Sequence, residues 1–160
     1  MKTQSAASRM ALRHGTWLAV CDGSRALLLE NKGDQVYPKL ETRDSMAADL
    51  PLTHELGTAR PGRAFSAIDE RRSAVEESDL HLRAEEQFIR KFAALIEQKV
   101  HELGLSSIVL IAPARALGIL RNCLGTHTSG ALAGSLARDY VHLPLYEIER
   151  HLIGLQSDAG

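Results

Sequence analysis

The chain has 160 residues, is 44% hydrophobic and 24% charged, and carries a formal net charge of −1. That length and balance fit one globular domain with a real core. They exclude a generally basic nucleic-acid coat, so DNA is not an expected partner and any anion binding must come from a local patch.

Residues 1–15 carry Lys2, Arg9, Arg13 and His14 and no acid. No apolar core or cleavage pattern follows, so this stretch reads as a frayed tail rather than a targeting segment. Nor does any apolar run approach the length of a membrane span. The expected location is the cytoplasm.

Thr16–Cys21 reads as a short apolar strand, Asp22–Gly23 as a turn, and Arg25–Glu30 as its partner strand. Gly33–Asp34 is a second turn signal. Val36–Thr42 alternates apolar and polar residues, which predicts a third strand with one wet face, and Pro38 within it points to an edge or a bulge. Three strands with tight turns make an antiparallel meander. Cys21 and Cys123 form no metal-binding pair and lie in apolar segments. They read as buried thiols of a reducing compartment, with a single disulfide between them left open.

Residues 44–80 read as one long loop, a length that points to function or disorder. Its densest part is Thr53–Arg72, which holds His54, Glu55, Arg60, Arg63, Arg71 and Arg72, punctuated by Gly57, Pro61 and Gly62. Gly62 permits close backbone approach, Pro61 stiffens the turn between two arginines, and arginine forks suit phosphates and carboxylates. The plain alternative is a surface loop whose arginines pair with Glu55, Asp69 and Glu70.

Ser78 or Asp79 is the expected N-cap of a helix over Leu82–Leu103. There Phe88, Ile89, Phe92, Leu95, Ile96, Val100 and Leu103 recur at three- and four-residue spacing, and Gly104 supplies the stop. Ser107–Ala112 is a nearly all-apolar run that fits a central strand buried on both faces. Ala114–Leu124 follows as a short helix. Arg115 stands at its start, beyond the carboxyl end of a strand, where ligands of open α/β sheets gather. Residues 126–140 stay ambiguous between helix and strand. Leu145–Leu152 is a final helix with Pro144 at its first turn. The expected organisation is a 1–15 tail, one α/β domain over 16–153 and a 154–160 tail. That domain should carry a mixed sheet of about five strands that includes the N-terminal antiparallel meander, with helices packed on the sheet.

No phosphate-binding glycine loop, nucleophile elbow or paired zinc histidine is present. His54–Glu55 and His101–Glu102 each lack the second histidine of a metalloprotease helix. No cofactor and no metal are expected, and His54 and Glu55 remain weak candidates for a general base and its orienter.

The stretches THELGTARPGR, RRSAVEESD, EEQFIRKFA, VLIAPARALGILR and VHLPLYEIERHL, with the opening VCDGSRALLLEN, resemble the bacterial family named host attachment protein, "protein required for attachment to host cells". The resemblance covers roughly residues 16–152 and rests on several separated motifs in the same order. Leu56 and Ala59 stand where more polar residues are expected. The family is similar in its order of elements to the middle domain of archaeal and eukaryotic class-1 release factors and Pelota. The loop that carries Gly-Gly-Gln in those factors corresponds here to Pro61-Gly62-Arg63. By fold-level analogy the resemblance implies a non-catalytic module that touches ribosome or tRNA phosphates. The residues expected to do so are Arg60, Gly62, Arg63, Arg71, Arg72 and Arg115. The alternatives are a cytoplasmic protein-interaction factor acting indirectly on attachment, or a hydrolase using His54 and Glu55.

Overall fold

The computed structural model describes residues 12–48 and 67–159, with side chains over 12–48 and 74–155. Five strands form one mixed open sheet: β1 (Trp17–Cys21), β2 (Arg25–Asn31), β3 (Leu40–Ala47), β4 (Ile108–Ala112) and β5 (Leu132–Ala137). Their order across the sheet is β3-β2-β1-β4-β5. The first three are antiparallel neighbours, whereas β1–β4 and β4–β5 are parallel. Among the described residues there are four helices: α1 (Ala67–Leu103), α2 (Ala114–Asn122), α3 (Thr126–Ala131) and α4 (Leu145–Ala159).

Alternation along the strands sorts the core into two layers. Trp17, Ala19, Cys21, Leu28, Ile108 and Leu110 point to the face covered by α1 and α2, where Phe88, Ile89, Phe92, Ile96, Val100, Leu117 and Leu120 are buried. Leu18, Val20, Leu29, Val109 and Ile111 point to the other face and meet Leu12, Tyr140, Val141, Ile148 and Leu152. β4 is buried at every position and lies between β1 and β5, as its apolar, β-branched composition predicts. Cys21 and Cys123 are free thiols, and burial pushes Cys21 up to about 12, so it is an inert core residue.

The third strand begins four residues later than expected, at Leu40. Two side chains hold the preceding residues in a turn. Asn31 is fully buried, and its Oδ1 accepts from Gly33 N–H at 3.0 Å and Lys39 N–H at 2.9 Å. Asp34 Oδ1 accepts from Val36 N–H at 3.0 Å and Tyr37 N–H at 2.7 Å. Those amides are therefore taken before a ladder can use them. As Pro38 implied, the strand is an edge strand, and its register against β2 shifts once, between Leu28 and Leu29.

The larger correction concerns α1. The expected N-caps Ser78 and Asp79 lie inside a 37-residue helix that starts at Ala67, so the expected loop is helical from that residue on. Residues 67–103 contain neither Pro nor Gly and are rich in Glu, Arg, Ala and Leu, all good helix formers. Among the described residues the first half has no sheet beneath it and needs no apolar stripe, so periodicity does not report it. Residues 74–83 are exposed, and burial begins only at Phe88. Gly104, with φ +62°, ends the helix, and Leu105 N–H reaches back to the Val100 carbonyl at 3.1 Å in a Schellman arrangement. Leu103, assigned to the stripe, is 55% exposed. The ambiguous stretch resolves into α3 and β5, and α4 continues past its expected end to Ala159. Among the described residues no helix is long and apolar enough to cross a membrane.

At the lower end of the sheet, α3 is tied to α1 by Glu97. Its Oε1 accepts from the Thr128 N–H and hydroxyl, each at 2.9 Å, and its Oε2 accepts from His127 N–H at 3.1 Å and lies 2.6 Å from His127 Nδ1. The Thr128 amide bond chiefly, then the bonds from His127, hold the carboxyl down at about 2. A depressed carboxyl contributes stability that is complete above its ordinary value of 4.5 and fades as pH falls toward about 2. Urea midpoints measured across that window are expected to drop more steeply for the native protein than for Glu97→Gln. Equal slopes would remove Glu97 as the source.

Candidate functional site at the carboxyl edge of the sheet

β1, β3, β4 and β5 all run in one direction, with β2 opposed. Their carboxyl ends, and the amino end of β2, therefore share one edge. In open α/β sheets this edge is where ligands collect. It receives Asp22 after β1, Ala48 after β3, Pro113–Arg115 after β4 and Arg138–His142 after β5.

Asp22 is the best-held polar group there. Its Oδ1 accepts from the N–H groups of Ser24 and Arg25, each at 2.8 Å, and its Oδ2 lies 2.8 Å from His142 Nε2. Burial alone would raise this carboxyl, but the two amide bonds and His142 offset that and leave it below the usual carboxylate range. Asp139 joins the pair: one ligand-type atom from each of Asp22, Asp139 and His142 falls within 4.8 Å of the others.

Gly23 packs directly beneath α1. A Cβ there would sit 2.8 Å from the Glu85 carboxyl group, which marks the level at which the helix passes the edge. From Glu85 back to Ala67 the helix runs on for about 27 Å at 1.5 Å per residue. Glu85 Oε1 also accepts from Arg115 Nη1 at 3.2 Å. A neighbouring concavity of about 390 Å³ is lined by Arg138, Tyr140, Arg150 and His151 together with Glu147. The Tyr140 and His151 rings stack there with centroids 5.1 Å apart.

Of the residues singled out from sequence, His54, Glu55, Arg60, Gly62 and Arg63 lie outside the described residues. Arg71 and Arg72 fall on the first turns of α1, and their side chains also lie outside the described set. Arg115 stands beyond β4, and its fork pairs with Glu85. The pair is about half exposed, so an incoming anion displaces it at small cost. The residues that sequence reasoning passed over are Asp22, Asp139 and His142. Asp22 registers in the sequence only as a turn signal, and the other two sit around the ambiguous segment. The available signal was position, since each follows the carboxyl end of a strand.

The sequence model of one family, described as "Protein required for attachment to host cells", matches residues 17–152. No curated protein matches the chain.

Proposed function

The chain belongs to the family of proteins required for attachment to host cells, and from that premise we propose that it is a non-catalytic binding module of the translation apparatus, working in the cytoplasm. Its segment 53–72 contacts ribosomal or transfer RNA phosphates together with Arg115. The observation that supports this reading is topological. β3 delivers the chain to that edge at Ala48, whose N–H bonds the Ser24 carbonyl at 2.7 Å, and α1 returns to it from beyond the sheet. Arg60, Gly62, Arg63, Arg71 and Arg72 belong to the stretch between those two points, and Arg115 stands on the edge itself. The order of meander, connecting segment, long helix and β/α units is the order on which the likeness to release-factor and Pelota middle domains rests.

Charge confines the surface. Beyond Arg72 the exposed face of α1 turns acidic, with Glu76, Glu77 and Asp79 exposed and Glu85 and Glu86 half-buried. A polyanion is repelled along that half of the helix, so its contacts fall on 53–72 and on Arg115. The test is a pull-down from native lysate with and without RNase. Ribosomal RNA and ribosomal proteins are expected to co-purify, and RNase is expected to release them.

One observation favours a second reading, in which a protein occupies the projecting helix. Val75 and Leu80 are each 61% exposed and Leu82 is 45% exposed on that half. A partner that survives RNase and is lost on Val75→Asp with Leu82→Asp would select this reading. Peptide release from peptidyl-tRNA that disappears on His54→Ala would instead select a hydrolase using His54 and Glu55.

A further inference from the structure

We propose that Asp22, Asp139 and His142 form a binding site for one divalent transition-metal ion of the zinc type. The three side chains come from two separate strand ends and the turn after β5, and they converge at the carboxyl edge. Two carboxylates and an imidazole are the donor set that such ions take, whereas oxygen-only sets suit magnesium and calcium.

The arrangement goes beyond a group of surface acids in three respects. Asp22 is oriented: its Oδ1 is fully engaged by the Ser24 and Arg25 amides, so Oδ2 is fixed toward His142. Metal ligands are held in this way by bonds to their remaining atoms. His142 presents Nε2 at 2.8 Å from that oxygen, so one proton now occupies the space between two metal donors. Asp139 is exposed, and among the described residues it has no hydrogen-bond or ion-pair partner. A single imidazole cannot neutralise two carboxylates, and a divalent ion can.

The geometry needs one small adjustment. Donors bound to zinc at about 2.0–2.2 Å stand about 3.3 Å apart on a tetrahedron. The present atoms lie within 4.8 Å of one another, and the free Asp139 side chain can close the difference by rotation. Coordination through Nε2 requires the proton shared with Asp22 to leave that nitrogen, so the bound ring carries its one proton on Nδ1. Three protein ligands leave a fourth position for water or an anion, the pattern of a ligand-binding rather than a purely structural ion. The proposal does not depend on RNA binding, because it is measured on the protein and the ion alone.

The experiment titrates the full-length protein with Zn²⁺ in competition with a chromophoric chelator, and with Co²⁺ followed in the visible region. One ion per chain is expected, with Co²⁺ bands of low-coordinate intensity and a raised melting temperature. Asp139→Asn and His142→Gln should each weaken binding at least about tenfold, since loss even of a supporting partner has that effect. Asp139→Asn removes no hydrogen bond or ion pair among the described residues, so it keeps the fold and isolates the ligand role. Nitrogen chemical shifts of His142 should move the proton from Nε2 to Nδ1 on Zn²⁺ addition. Binding that is absent in the native protein overturns the site, and binding that is unchanged in both variants overturns it too and moves the ion to other surface histidines such as His101 and His127.

Discussion

Replacing Ile111 by alanine is expected to cost about 2–5 kcal/mol of folding stability, the range seen for deletion of a large aliphatic side chain from a packed core. Ile111 is fully buried, sits on the interior strand β4 opposite Val20 of β1, and faces Val109's side of the sheet against α4. The surroundings have little room to collapse into the vacancy. Strands flank β4 on both sides, and the Ile148 and Leu152 side chains above it are themselves fully buried. Against the 5–15 kcal/mol of a usual domain this is a large share. Urea melts of the two proteins measure it directly. A difference below about 1 kcal/mol would mean that the layer under α4 is loose and that β4 is not the centre of the core.

Converting Arg60, Arg63, Arg71 and Arg72 together to alanine is expected to remove most of the salt dependence of RNA binding. Each phosphate contact contributes about 0.7–0.9 to the slope of log affinity against log salt, so four contacts account for a slope of about 2.8–3.6. Single replacements should lower the slope by one contact each and alter stability by less than about 0.5 kcal/mol, as exposed changes away from the core do. Filter-binding or fluorescence titrations over a salt series give both numbers. A quadruple variant with the native slope would move the phosphate contacts elsewhere. Arg115 would come next, followed by the Arg138 and Arg150 concavity. Unfolding of any single variant would instead make the segment a structural clasp.

The two predictions draw on parts of the chain that were legible to different degrees. The residues under the first one are local signals. SIVLIA reads as a doubly covered strand from six neighbouring side chains, and Ile108, Val109, Leu110, Ile111 and Ala112 within it are all buried. The second rests on polar residues whose meaning depends on what they face. The polar half of α1 shows this most clearly. A helix that leaves the sheet has no reason to carry an apolar stripe, so a reading based on periodicity takes residues 67–80 for loop.

The sequence by itself determined the short-range features: strands β1, β2 and β4, the packed half of α1, its stop at Gly104, and the Pro144 start of α4. Each is decided within a few residues by side-chain period, backbone freedom or a missing N–H. Only the tertiary structure decided where β3 begins, because Asn31 and Asp34 capture the amides before it. It alone decided that 132–137 is a strand, since that small-residue run gains its ladder only from β4. It alone brought Asp22 to Asp139 and His142, since their meeting requires β1, β4 and β5 to run parallel. Strand direction is set by crossovers tens of residues long, and no local pattern around an aspartate carries it.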